Sequence, residues 1–84
     1  MKIELLGKPG CHLCDEAKAV VESVCARLHL PWAYKNLEDQ PELYAQYRDV
    51  IPILLVDGKK LLKYRVDEKS LVRVLLRKQA EQSR

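Results

Sequence analysis

Cys11, His12, Leu13 and Cys14 form a Cys-x-x-Cys tetrad in a chain of 84 residues, and two sulfurs at that spacing suit either metal ligation or thiol–disulfide exchange. The tetrad follows a short apolar run, Ile3 to Leu6, and a Lys8-Pro9-Gly10 turn. It opens a long amphipathic segment with helical spacing. A cysteine at such a corner stands at a helix N-terminus, where unpaired N–H groups and the helix dipole favour negative charge. The thiolate is such a charge, and it is the form that attacks disulfides. Positions three apart on a helix have Cα atoms roughly 5 Å apart, inside the ~4.4–6.8 Å range that a disulfide tolerates. In this reading Cys11 is the nucleophile and Cys14, one turn further in and more covered, is the resolving sulfur.

The gain from activating Cys11 is modest in the attack itself. Lowering a thiol pKa from ~8.5 to ~7 raises the thiolate fraction at neutral pH about 16-fold, while nucleophilicity falls about fivefold. The larger benefit is a sulfur that leaves readily and a stabilised reduced form. Lys8 adds positive potential and His12 is placed to donate to the thiolate, with plain solvent exposure as the alternative for both. Asp15 and Glu16 oppose them.

The elements around the pair read β-α-β-α-β-β-α. Ile3-Glu4-Leu5-Leu6 is a short strand ended by Gly7 and Pro9-Gly10. From Cys11 to about His29, the residues Leu13, Ala17, Val20, Val21, Val24 and Leu28 recur at helical spacing. Asp15 and Glu16 at its start and Arg27 and His29 at its end suit the dipole, and Pro31 stops it. Trp32 to Leu37 alternates and reads as a strand. Pro41 opens a short helix carrying Leu43, Tyr44 and Tyr47. Ile53-Leu54-Leu55-Val56 reads as a strand covered on both faces, and Asp57-Gly58 as a hairpin turn into a return strand, Lys59 to Tyr64. Asp67 caps a last helix whose core face is Leu71, Val72, Val74, Leu75 and Leu76. The polar tail Lys78–Arg84 is expected to fray. The first two strands should be parallel through a right-handed crossover, and the last two antiparallel.

The length suits one domain over residues 1–84. A net charge of +3, with basic residues scattered among acids except in Arg73–Arg84, offers no basic stripe with stacking aromatics, which argues against nucleic-acid binding. The opening apolar run is too short for a signal peptide, and no stretch approaches the ~20 apolar residues of a membrane span. The chain therefore reads as a cytoplasmic protein, expected to be monomeric. Three cysteines in that setting argue against a structural disulfide framework.

Three stretches together resemble the glutaredoxin-like group of thioredoxin-fold proteins, in particular its small bacterial members with a Cys-x-x-Cys motif. They are Lys8-Pro9-Gly10-Cys11-His12-Leu13-Cys14, Val50-Ile51-Pro52 and Val56-Asp57-Gly58-Lys59. The resemblance implies a thioredoxin-like α/β fold, a four-stranded mixed sheet flanked by three helices, with a cis bond before Pro52. It implies a thiol–disulfide oxidoreductase that cycles between dithiol and disulfide at Cys11 and Cys14. Its partners would be disulfide-containing proteins or glutathione, in cell redox homeostasis and electron transport. No metal or organic cofactor is expected beyond glutathione as reductant or co-substrate. His12, Leu13, Ile51 and Pro52 would meet the substrate, the Ile51 backbone pairing with an extended strand. Tyr64 and Arg65 are candidates for lining the groove.

Two departures stand out. His12-Leu13 occupies the place where dithiol glutaredoxins usually carry Pro-Tyr. Leu62-Lys63-Tyr64-Arg65-Val66-Asp67 has no glycine where glutaredoxins carry Gly-Gly and then an Asp that helps hold glutathione. The fold and dithiol chemistry carry over, whereas the glutathione site does not carry over residue for residue.

Other readings use the same residues. Cys11, Cys14, Cys25 and His29 match the spacing of a four-ligand zinc site, but a continuous helix would hold the two pairs ~16 Å apart. A homodimer bridging an iron–sulfur centre through Cys11 and glutathione is weakened by the missing glycines, and a thioredoxin-fold adaptor without catalysis is the remaining alternative. Cys25 itself reads as a small, partly buried residue beside Val24 and Leu28. Trp32, Tyr34, Tyr44 and Tyr47 read as packing residues.

Overall fold

A computed structural model describes residues 1–82. Its elements are β1 (Ile3–Gly7), α1 (His12–Leu28), β2 (Ala33–Asn36), a short 3-10 turn (Leu37–Asp39), α2 (Pro41–Tyr47), β3 (Ile53–Val56), β4 (Lys59–Lys63) and α3 (Glu68–Gln82). The four strands form one mixed sheet in the order β2-β1-β3-β4. β1 runs parallel to β2 and antiparallel to β3, and β3 is antiparallel to β4.

The two central strands are buried along their whole length, as a sheet covered on both sides requires. On one face Ile3, Leu5, Leu54 and Val56 meet Ala17, Val21 and Val24 of α1 and Leu71 and Leu75 of α3. On the other, Leu6, Ile53 and Leu55 join Leu37 beneath Leu43, Tyr44 and Tyr47. Each buried Leu or Ile contributes about 1.5–3 kcal/mol, so the alternation along β1 and β3 fixes both layers at once. Glu4 is the polar exception in β1. Its carboxylate is answered by Lys35 of β2, with Nζ 2.6 Å away.

Local signals end each element where the chain needs to turn. α1 closes on His29 at φ 57, with His29 N–H donating to the Ala26 carbonyl at 3.3 Å and Leu30 N–H to the Cys25 carbonyl at 2.9 Å. This is a Schellman closure, and Pro31 follows it. In the β3–β4 hairpin, Asp57 and Gly58 both take positive φ (52 and 83), the geometry that an Asp-Gly pair provides. Asp67 caps α3, its carboxylate accepting from Ser70 N–H at 3.1 Å.

The structure corrects several expectations. Trp32 precedes β2 and Leu37 leaves it, because Asn36 ends the strand by capping the 3-10 turn through Glu38 N–H at 2.9 Å. Leu76 is 48% exposed, since it lies about 100° around the helix from Leu75 and so leaves the buried stripe; Val72 is only half-buried. The return strand stops at Lys63 rather than Tyr64. The polar tail does not fray from Lys78: α3 continues to Gln82, whose side-chain amide donates to Asp57 at 2.8 Å, while Lys78 pairs with Glu81 at 3.3 Å. Ser83 and Arg84 lie outside the described residues.

Candidate redox-active site

Strand register gathers the site at one end of the sheet. Gly7 ends β1, and the Lys8-Pro9-Gly10 turn, with Gly10 at φ 75, leads directly into α1. Leu6 pairs with Ile53, so Pro52 stands beside Gly7 at the mouth of the cysteine loop. Ile53 pairs in turn with Lys63, which brings Tyr64 and Arg65 to the same end. The Ile51–Pro52 bond is cis. Pro52 is buried and Ile51 half-buried.

Cys11 is the N-cap of α1. Its backbone is extended (φ −101, ψ 108) and its sulfur accepts a hydrogen bond from Cys14 N–H at 3.2 Å. The cap is thus supplied by the reactive atom, which meets one of the unpaired N–H groups of the first turn. Cys14 lies one turn in, at 1% exposure, while Cys11 remains partly open. The two form a disulfide with Cα atoms 5.1 Å apart.

The sequence neighbours of the pair are open to solvent to differing degrees. His12 directs Nε2 at Glu16, 3.2 Å distant, and is largely solvated. Leu13, which the periodicity assigned to the core face, is 37% exposed at the head of the helix. Lys8 is half-exposed just before the loop. Cys25 is fully buried between α1 and the sheet rather than partly so, and burial pushes its thiol pKa up. Because α1 is unbroken from His12 to Leu28, Cys25 and His29 sit at its far end, ~16 Å from the pair. Among the described residues no three His, Cys, Asp or Glu side chains are grouped to hold a metal ion.

Gly7 and Tyr34 acquire a significance that sequence reading missed, and Tyr64 a backbone shape that it did not show. Gly7 has the Tyr34 hydroxyl and Cys14 Cβ and Sγ packed against its bare backbone. Tyr34 therefore brings its hydroxyl to the same glycine as the resolving cysteine. Tyr64 is a non-glycine residue at φ 65, and Arg65 N–H donates to the Lys63 carbonyl across it at 2.7 Å. That is the geometry of the rare, strained γ-turn. It falls inside the stretch that lacks glycine, and it leaves the Tyr64 ring 47% exposed.

A parallel β1–α1–β2 unit, an antiparallel hairpin and a dithiol motif heading the first helix define a thioredoxin-fold protein. Thioredoxin 1 of Thermosipho africanus superimposes over 100% of both chains with a TM-score of 0.71 at 15% identity, a likeness of fold. More specifically, residues 2–76 match the Glutaredoxin-like domain (DUF836), and the chain belongs to that family. A curated relative is the glutaredoxin-like protein YDR286C homolog of Dictyostelium discoideum, 23% identical over 93 residues, covering 100% of this chain and 86% of that protein. Among solved structures, protein Ne2328 of Nitrosomonas europaea is 25% identical with a TM-score of 0.71, covering 87% of this chain and 88% of that one. Protein XcR50 of X. campestris is 24% identical with a TM-score of 0.73, covering 87% and 93%.

Proposed function

We propose that this chain is a thiol–disulfide oxidoreductase of a reducing, cytoplasmic compartment, acting on protein disulfides or glutathione mixed disulfides. The observation that carries the reading is the Cys11 sulfur at the N-cap of α1, accepting from Cys14 N–H at 3.2 Å with Cys14 buried behind it. A donor and a helix N-terminus aimed at one sulfur favour its thiolate.

In the reaction the Cys11 thiolate attacks one sulfur of the substrate disulfide and expels the other as a thiolate, which takes a proton from water. Cys14, having lost its proton, then attacks Cys11 Sγ. The mixed disulfide breaks, the second substrate sulfur leaves as a thiol after protonation, and the Cys11–Cys14 disulfide remains. Two electrons have passed to the substrate. A thiol reductant, glutathione or a flavin-dependent reductase, returns them. Lys8, His12, Leu13, Ile51 and Pro52 frame the approach to Cys11 in this scheme, with Ile51 offering its backbone to an extended segment.

Single serine variants test it on an insulin-type and a glutathione mixed-disulfide substrate. Cys11→Ser abolishes turnover on both. Cys14→Ser keeps the first attack and accumulates the mixed disulfide. Retained turnover in Cys11→Ser, or a Cys11 that alkylates no faster at neutral pH than a free cysteine, overturns the proposal.

A further inference from the structure

Cys14 presents a chemical difficulty that Cys11 does not. It must become a thiolate to resolve the mixed disulfide, yet it is almost completely covered, and burial disfavours a charged sulfur. A hydrogen-bond donor beside it would remove much of that penalty. A Cβ built at Gly7 finds Cys14 Sγ at 3.2 Å, Cys14 Cβ at 3.0 Å and the Tyr34 hydroxyl at 2.8 Å. Those are the three nearest atoms, so the phenol and the resolving sulfur share the space over a residue with no side chain.

The rest of the fold delivers the hydroxyl there. Tyr34 pairs with Leu5 across the parallel β1–β2 register, placing it on the α1 face of the sheet two residues before the Gly7–Asn36 pair. Lys18 of α1 covers the ring, with Nζ 4.8 Å from its centroid. The charged groups that bear on the phenol are Lys18 of α1, over its ring, and Asp15 of α1, near enough to act on it through its charge. Burial first, and the Asp15 carboxylate second, hold the Tyr34 phenol above its ordinary pKa. It therefore keeps its proton at neutral pH and remains a donor.

We propose that Tyr34 assists the resolving step by donating its O–H to the Cys14 sulfur as that sulfur ionises and attacks Cys11. The inference rests on the oxidoreductase reading above. The Cys14 proton passes to solvent, and the Cys14 electron pair forms the new bond to Cys11 Sγ. The substrate sulfur departs with the electrons of the broken bond, and Tyr34 retains its proton throughout. Cys11, already served by the Cys14 N–H, does not depend on it.

The test mixes the fully reduced protein rapidly with an aromatic disulfide whose thiolate is coloured. One equivalent of colour appears when Cys11 attacks and a second when Cys14 resolves. Tyr34→Phe keeps the ring beneath Lys18 and removes only the hydroxyl. Its second phase should slow about tenfold at neutral pH, with the pH midpoint of that phase moved up by about one unit and the first phase unchanged. An unaltered second phase and midpoint overturns the inference, as does an equal slowing of both phases. Replacing tyrosine by meta-fluorotyrosine throughout supplies a version that leaves packing intact and makes every phenol a stronger donor. The second phase should then quicken in the parent and not in Tyr34→Phe. No acceleration in the parent also refutes a role for the hydroxyl. A parent protein that shows no first phase refutes the oxidoreductase reading instead, and the Tyr34 inference with it.

Discussion

Gly7→Ala sets two effects of opposite sign against each other at one position. Gly7 lies in β1 without a positive φ, so its backbone accepts alanine. Loss of unfolded-state freedom alone would then stabilise the fold by about 0.4–1 kcal/mol. The added methyl, however, would stand 2.8 Å from the Tyr34 hydroxyl and 3.0 Å from Cys14 Cβ. The tyrosine ring can tilt, but Cys14 Cβ is anchored to α1 and can retreat only if the helix moves. Overpacking of this kind costs about 1–3 kcal/mol, and the steric effect wins. The expected net loss is about 1–2 kcal/mol, or a fall in Tm of about 4–16 °C for a domain of this size. Urea and thermal unfolding of the oxidised protein, in which the disulfide is constant, measure it. A variant as stable as the parent, or more stable, would show that no close packing exists over Gly7 and would remove the contact on which the Tyr34 argument stands.

Three further outcomes follow from the same fold. Hydrogen bonds from Lys2 N–H to Asp57 and from Ser70 N–H to Asp67 hold both carboxyls below their ordinary pKa. Their stabilisation is complete above the unfolded carboxylate pKa of about 3.9 and is lost as pH falls through the lower folded values. The urea midpoint should drop with acid below about pH 4, and more gently in an Asp57→Asn/Asp67→Asn double variant; parallel acid limbs would contradict this. Cys25, buried and with its thiol pushed up in pKa, should alkylate in the native oxidised protein at least about a thousandfold more slowly than in denaturant, as followed by mass spectrometry. Tyr64→Gly exchanges a tyrosine at positive φ, a conformation costing about 1–3 kcal/mol, for the residue that tolerates it best. Allowing for lost contacts of the ring with Lys63, stability should rise by about 0.5–1 kcal/mol, measurable as a higher urea midpoint.

Whatever depends on short-range spacing could be read from the chain. The helical period from Ala17 to Leu28, the uninterrupted Ile53–Val56 run and the Asp57-Gly58 turn each announced its element within a few residues. The cysteine pair was visible for the same reason, since three positions on a helix determine a separation. The pairing of β1 with β3 was not visible: Ile3 to Leu6 is too short to display burial on two faces, and Glu4 interrupts it. Its acid is tolerated only because Lys35, 31 positions away on the neighbouring strand, meets it. Tyr34 was hidden for a similar reason. Its place beside Gly7 comes from the register of β2 on β1, which no local pattern encodes. A glycine closing a strand immediately before the cysteine loop was the available hint, because it marks close approach. The departure from glycine at Lys63-Tyr64-Arg65 was evident in the sequence, but the left-handed turn it adopts was not.

The N-cap of α1 has a bearing on how its own chemistry should be controlled. Serine is among the best residues for opening a helix, whereas alanine there forfeits about 1 kcal/mol. Removing the Cys11 sulfur with alanine would therefore silence the reaction and weaken the start of the helix together, and lost activity could not be assigned to either. Substitution by serine keeps an oxygen where the Cys14 amide needs an acceptor. Only that variant separates what the sulfur does for the substrate from what it does for its own chain.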